Sequence, residues 1–343
     1  MEQKILRVGT LAVVGALVLR LLSGLGANLV LSPEAASWLI FLHTGYVVRP
    51  GIAATAPPTP ETQGPTTVPT AAPTAPTAPT TPMPTATAPT QPPLTIPTFS
   101  PSDAAAITIH SGFSWKADLP TLLTQPLSWN LTQDGPTILI LHSHATESYA
   151  GGSYKETSPY HTLDTAHNML SIGAYVATRL RTNGIAVIQD TVFHDEPSYD
   201  MAYTNSRKSV AEYLAQYPSI RLVLDLHRDA YEDASGNPAS PTVLFQGRKI
   251  APLMFVIGTD YGGLTHPDWQ QNLALALKMQ TQLENLCPGI CRNINLRTQR
   301  FNQDLSPGAL LVEVGNAGNS YSEAIGAAEM LVQAILSLSH GSK

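Results

Sequence analysis

Cysteine is nearly missing from this chain: there are two in 343 residues. Both sit in Cys287-Pro-Gly-Ile-Cys291, so a zinc site made of cysteines is excluded. The pair itself has two readings, a disulfide that clips the turn before Ile294, as an exported protein allows, or two thiols. Charge is sparse too, with 19 Lys and Arg against 25 Asp and Glu. No basic stripe is present to follow a phosphate backbone, so nucleic acid is not an expected partner. A Gly-x-Ser-x-Gly elbow is absent, which leaves a serine triad without support. His227-Arg228-Asp229 echoes a kinase catalytic loop, but no glycine-rich loop or nucleotide lysine precedes it.

What the chain does have begins at its N-terminal end. After Met1-Glu-Gln-Lys4-Ile-Leu-Arg7, an apolar stretch runs from Val8 to Leu31, broken only by Arg20, long enough to cross a bilayer. Lys4 and Arg7 place its start in the cytoplasm and the rest of the chain outside. Residues 1–31 therefore read as a cytoplasmic stub and transmembrane anchor. The alternative is a cleaved signal peptide with its apolar core from Val8 to Leu19. Arg20 favours that alternative, since a mid-membrane arginine costs roughly 2.5–3.5 kcal/mol; the lack of an Ala-x-Ala site disfavours it. Residues 32–49 form a membrane-proximal segment whose apolar patch, Ser37-Trp-Leu-Ile-Phe-Leu42, is too short to span. Residues 50–98, almost wholly Pro, Thr and Ala, cannot bury enough apolar surface to offset their ordering entropy and read as a disordered, semi-rigid tether.

Residues 100–343 suit one domain with a sizeable core. Strand patterns at 137–141, 185–188, 221–226, 242–246, 254–258, 294–301 and 309–314 alternate with helical periodicity at 164–182, 199–216, 268–286 and 320–337. Gly184 suits a helix C-terminus, and Ser320-x-x-Glu323 a capping box. The alternation predicts an α/β fold with a largely parallel sheet and helices on both faces. In such a sheet, ligands bind beyond the carboxyl ends of the strands.

Three strand ends carry chemistry. The first, Thr137-Ile-Leu-Ile-Leu, runs into His142-Ser-His144-Ala-Thr-Glu147-Ser-Tyr149. The second is Leu222-Val-Leu-Asp225-Leu-His227-Arg228-Asp229, and the third Leu310-Leu-Val-Glu313-Val-Gly315. His144, Glu147 and His227 form the His-x-x-Glu…His ligand pattern of carboxypeptidase-like zinc hydrolases, which leaves one coordination position open. Glu313, an acid on an apolar strand, fits the general base. His142 competes with His144 for the first ligand position, and His144 is the better spaced, because residues three apart at a turn converge on one ion with Glu147; His142 then orients a ligand or touches substrate. Arg228 holds a substrate carboxylate or bridges to an acid. His194, Asp195 and Arg207 line the cleft or pair at the surface.

These motifs, with His194-Asp195-Glu-Pro-Ser-Tyr199 and Leu305-Ser-Pro307, resemble the stage II sporulation protein P family of endospore-forming bacteria. The resemblance spans the domain from about Thr137 onward and agrees with an anchor and variable stalk. It implies kinship with zinc-dependent N-acetylmuramoyl-L-alanine amidases and cleavage of the amide between muramic acid and the peptide stem of peptidoglycan, with endopeptidase activity in some members. It further implies a membrane location at the sporulation septum, a role in septal thinning and forespore engulfment, and stage II sporulation proteins D and M as partners. By position it gives His144 and His227 as zinc ligands and Glu313 as the late glutamate. In the wider amidases the acidic ligand follows at a longer gap, which points to Glu156 or Asp164 in place of Glu147. A zinc carboxypeptidase or endopeptidase acting on the stem, and an inactive wall-binding scaffold, are the competing expectations.

Overall fold

The computed structural model describes residues 96–343. The expected anchor or signal segment, the membrane-proximal patch and nearly all of the Pro/Thr/Ala tether lie outside them. Among the described residues no helix is long and apolar enough to cross a membrane. The folded unit already includes Phe99, which is buried, and Pro97, whose carbonyl accepts the Lys343 N–H.

In chain order the regular elements are β1 (Ile109–Ser111), α1 (Leu119–Thr124), β2 (Ile138–Leu141), α2 (Met169–Thr182), β3 (Val187–Gln189), α3 (Ala202–Gln216), β4 (Leu222–Asp229), β5 (Val243–Phe245), β6 (Arg248–Ile250), β7 (Leu253–Gly258), α4 (Trp269–Leu286), β8 (Ile294–Arg297), β9 (Ala309–Asn316) and α5 (Tyr321–Ser337). Seven strands form one sheet in the order β1-β8-β7-β9-β4-β2-β3. Every neighbouring pair is parallel except β7 and β9. The expected α/β architecture is present, with β2, β4 and β9 side by side so that their carboxyl ends share one edge.

Strand alternation divides the core. Ile138, Ile140, Leu222, Leu224, Leu226, Leu310, Val312 and Val314 lie on one face, packed with α2, α4 and α5. Leu139, Leu141, Val223 and Ala309 lie on the other, packed with Val210 of α3. Burial on both faces is why β2 reads as an uninterrupted apolar run.

Several boundaries differ from the sequence expectation. The helix expected from residue 164 starts at Met169, because the Asn168 side chain accepts the Leu170 N–H and caps it there. Asp164 instead closes a local turn on Ala166 N, and Met169 N is committed to Glu147 O. The strand expected to run to residue 301 stops at Arg297, and Phe301 and Asn302 beyond it take positive φ values of 51° and 58°, which no strand accommodates. The strand expected at 242–246 belongs to a small separate hairpin with β6, turned through Gln246 and Gly247 at φ 48° and 78°, the double positive φ of a tight hairpin turn. Gly184 sits at φ 82° after α2, as its position suggests, and Ser320 and Glu323 form the expected capping box. The disulfide reading is not met: Cys287 and Cys291 are both free. The Glu284 carboxylate closes that turn instead, accepting the N–H groups of Gly289 at 2.7 Å and Cys291 at 2.8 Å.

Lys278 of α4 is 2% exposed. Its ammonium donates to Leu122 O at 3.0 Å and stands 5.7 Å from the Phe99 ring centroid, with no ion-pair partner among the described residues. Burial lowers its pKa from 10.5 to about 8. The unfolded chain therefore binds more protons between those values, so stability rises as pH climbs from about 8 through 10.5. At about 1.4 kcal/mol per pH unit, Lys278→Met should stabilise the fold by on the order of 1–3 kcal/mol at neutral pH. Urea denaturation of both chains at pH 7 and pH 10 checks this; a gap that does not narrow at the higher pH would refute it.

Candidate metal centre

The alternation of β2 settles where each histidine goes. His142 continues the row of Ile138 and Ile140 and lodges under α2, where a Cβ on Gly173 would run into its Nε2 and into Gln189 Nε2. Its Nδ1 lies 3.0 Å from Leu226 O, and burial lowers its pKa to about 4, so the ring is neutral. The chain then turns on Ser143, whose N and Oγ both donate to Asp225, at 2.8 and 2.6 Å. Beyond that turn His144 comes edge-on to His227, with ring centroids 5.1 Å apart.

His144, Glu147 and His227 each offer a ligand atom within 4.8 Å of the others. His144 Nδ1 is 3.7 Å from Glu147 Oε1, and His227 Nδ1 is 3.6 Å from Glu147 Oε2. All three side chains are buried. Burial lowers the pKa of His144 to about 4, only partly opposed by Glu147. Burial would also lower that of His227, but the Asp225 and Glu147 carboxylates on either side outweigh it and raise it well above its ordinary value. Burial pushes Glu147 upward, and Arg228 first, then His227 and His144, pull it far below the usual carboxylate range. A carboxylate facing two imidazoles is the donor set of a tetrahedral nitrogen–oxygen metal site.

The rival acids stay outside. Glu156 is exposed and accepts Tyr160 N at 3.3 Å; Asp164 is exposed and bonded to His167 Nδ1 at 2.8 Å. Arg228 is buried and does not present its guanidinium to a cleft. It donates to Ser148 O at 3.0 Å and Tyr160 O at 2.8 Å and stands 3.6 Å from Glu147 Oε1, while its backbone N donates to Glu147 Oε2 at 3.0 Å. The bridging reading of this residue therefore applies. His194 and Asp195 neither line the cleft nor pair at the surface: His194 Nε2 meets buried Asp190 at 2.9 Å, and Asp195 accepts both the N and Oγ1 of Thr146, tying two loops together. Arg207 does pair at the surface, bidentate to Asp304 at 2.8 Å for each bond.

Glu313 is the register partner of His227 in the parallel β4–β9 pair, so the two side chains share the α3 face. Its Oε2 is buried with no hydrogen-bond partner among the described residues. Burial raises its pKa to about 8, with His227 opposing and Glu147 reinforcing the rise. A buried carboxyl oxygen without a partner, beside three ligand-type side chains, marks a position where another group is to be met.

Three contributors had no role in the sequence reading. Asp225 stands on the same face as His227, two residues before it, with Oδ1 2.9 Å from His227 Nε2; the approach is off the line of a hydrogen bond, and Nε2 has no other partner. Burial raises and His227 and Ser143 lower the Asp225 carboxyl, and the lowering prevails. The signal was a second acid alternating with a histidine on an apolar strand. Tyr199 stacks on His144 with centroids 4.1 Å apart and its hydroxyl 3.2 Å from Nδ1, and Tyr203 stacks on His227 at 6.3 Å. Tyr199 lies in the single 3-10 turn that leads into α3 and Tyr203 in the first turn of α3, but nothing in the sequence says that they meet the histidines.

A family model described as stage II sporulation protein P matches residues 85–336. The stage II sporulation protein P of Bacillus subtilis (strain 168) is 26% identical over 203 residues, which cover 56% of this chain and 48% of that protein, so the chain spans about half the length of the curated relative. Among solved structures, the N-acetylmuramoyl-L-alanine amidase AmiC2 of Nostoc punctiforme is 13% identical with a TM-score of 0.37, and the N-acetylmuramoyl-L-alanine amidase of Clostridium difficile 630 is 17% identical with a TM-score of 0.36. Each comparison covers 60% of this chain and 97% of the other, and neither likeness is large enough to carry an argument. The family match extends over most of the chain and takes in all three motif strands: the chain belongs to the stage II sporulation protein P family.

Proposed function

We propose that this chain is a zinc-dependent peptidoglycan hydrolase, an N-acetylmuramoyl-L-alanine amidase that cuts the amide between muramic acid and the stem peptide. Its N-terminal segment tethers it to the cell membrane with the described domain outside, at the sporulation septum. There it works with stage II sporulation proteins D and M in septal thinning and forespore engulfment. One observation carries the chemistry: His144, Glu147 and His227 converge within 4.8 Å with the unpartnered carboxyl oxygen of Glu313 on the adjacent strand.

The donor set fits zinc. Ligands on one tetrahedral ion at about 2.0–2.2 Å lie roughly 3.3–3.6 Å from one another, and the Glu147 oxygens already stand 3.7 and 3.6 Å from the two imidazoles. When bound there, zinc supplies Lewis acidity, drawing electron density from a scissile carbonyl and making water a better proton donor. Glu313, whose carboxyl a cation held at the site would draw back toward the ionised form, takes a proton at its carboxylate and returns it to the departing amine. Arg228 holds Glu147 in place, and Tyr199 and Tyr203 fix the imidazole planes.

Asp225 lies against the ring nitrogen of His227 remote from Glu147, the position of the carboxylate that orients a metal-binding histidine. Asp225→Asn should weaken zinc binding about 10–100-fold, read by competition with a chromogenic chelator. Unchanged affinity would remove Asp225 from the site.

The test of the function is mass spectrometry of products released from purified peptidoglycan by the full chain, with zinc and with chelator. Free stem peptides and unsubstituted glycan, lost on chelation and restored by zinc, are expected. Shortened stems would assign a carboxypeptidase or endopeptidase instead. No metal-dependent product, even with the sporulation protein D partner present, would make the chain a wall-binding scaffold.

A further inference from the structure

The face that carries His227 and Glu313 does not end at β9. Glu313 is in register with Met254 of β7, Val256 of β7 with Asn295 of β8, and Asn295 with His110 of β1. Alternation puts Met254, Asn293, Asn295 and His110 on that same face. Two adjacent rows on this face, Glu313–Met254 and, two residues further along β7, Val256–Asn295–His110, together take it across four strand spacings, roughly 19 Å, from β4 to the sheet's edge. A cavity of about 390 Å³ lies over it, lined by His110, Met254, Arg292, Asn293 and Asn295. His110 and Asn293 are exposed, and Arg292 and Asn295 half-buried.

The chemistry of this ledge is one-sided. Its polar groups are a guanidinium, an imidazole and two amides. Asp229 beside it is paired with Arg292 at 2.6 Å. Arg292 lies over the Tyr231 ring, 4.4 Å from its centroid, and that one bond to Asp229 uses a single donor of the five in its side chain. The aromatic ring at the ledge is therefore already covered, so no bare platform is offered to a sugar. Asp229 itself closes β4, two residues beyond His227, which places Arg292 at the side of the ledge that meets the strand of the metal centre.

We propose that this ledge seats an extended peptide bearing free carboxylates and leads it to the candidate metal centre, with Arg292, Asn295 and His110 as specificity-determining residues. The proposal rests on the hydrolase reading above and adds which part of a wall polymer the protein recognises.

The test uses the full chain and a fluorescent synthetic tetrapeptide with the stem's free carboxylates, compared with its fully amidated form, by fluorescence anisotropy. The acidic peptide should bind about tenfold more tightly than the amidated one, the size of one lost charge-assisted hydrogen bond. His110→Ala should weaken the acidic peptide severalfold, and Asn295→Asp about tenfold through like-charge repulsion. The melting curve of His110→Ala should match the parent, since His110 is an exposed residue on an edge strand, and this variant keeps the test independent of any unfolding by Asn295→Asp. Equal binding of the two peptides, or variants that bind as the parent does, would overturn the ledge. Weakened binding of peptide-free glycan in the same variants would overturn it as well, reassigning the surface to sugar. The tetrapeptide contains no muramoyl amide, so binding is read without turnover. A chain that binds it through the ledge but releases nothing from the wall would remove the hydrolase reading and keep the ledge; a chain that hydrolyses wall but ignores the ledge variants would do the reverse.

Discussion

Glu313→Gln should reduce release of stem peptide from peptidoglycan by about 10²–10⁴-fold, the usual contribution of a general acid–base group, while zinc binding is spared. The amide matches the carboxyl in size but cannot take up a proton, and Glu313 is not among the three converging ligand atoms. Stability should move the other way. The folded-state pKa of Glu313 is raised from 4.5 to about 8, so the native chain holds more protons than the unfolded one between those values and loses stability as pH rises through that window. The glutamine variant lacks this term. In chelator-treated protein, its urea midpoint should therefore gain on the parent between pH 5 and pH 8. Wild-type turnover by the variant would dismiss Glu313 as the base, whatever its stability.

Arg228→Ala should destabilise the chelated protein by about 3–5 kcal/mol, the cost of stripping the partner from a buried charge. The guanidinium is 3% exposed and sits 3.6 Å from the equally enclosed Glu147 carboxylate. It also serves the carbonyls of Ser148 and Tyr160, which would be left without that donor. Arg228→Lys should recover only part of the loss, because an ammonium cannot reproduce the fork that reaches two carbonyls and a carboxylate. Zinc should narrow the deficit, since an ion held by Glu147 replaces the missing positive charge and stabilises the folded state by mass action. Denaturation curves with zinc and with chelator measure both effects. A deficit of the same size in either condition would place Arg228 outside the electrostatics of the site.

The three motif strands were legible because each is an apolar run that ends abruptly in polar side chains. Such a contrast survives in any register. Period-two reasoning does not separate His142 from His144, which would share a face on a continued strand; the turn at Ser143, tied to Asp225, is what parts them. The helix start at residue 164 was misplaced because Asp164 and Asn168 are both acceptable caps in isolation. The choice of Asn168 depends on Met169 N reaching Glu147 O across the loop, a contact with no local signature. The same holds for the two tyrosines over the histidines and for Glu284 in the role assigned to a disulfide.

By itself the sequence determined the α/β class through hydrophobic periodicity and the family through its motifs, and it offered His144, His227 and Glu313 with the acidic ligand open among Glu147, Glu156 and Asp164, because periodicity and residue chemistry are local properties of the chain. Tertiary structure decided what depends on neighbours distant in sequence. It aligned Glu313 with His227 through strand register, excluded Glu156 and Asp164 by leaving them exposed, and turned Arg228 inward onto Glu147. It also revealed Asp225 as the carboxylate behind His227. Hydrogen bonds act only at contact distance, and buried charges, little screened, act on whichever groups the fold sets around them, so roles there follow from which groups the sheet order brings together, and sheet order is written in no single segment.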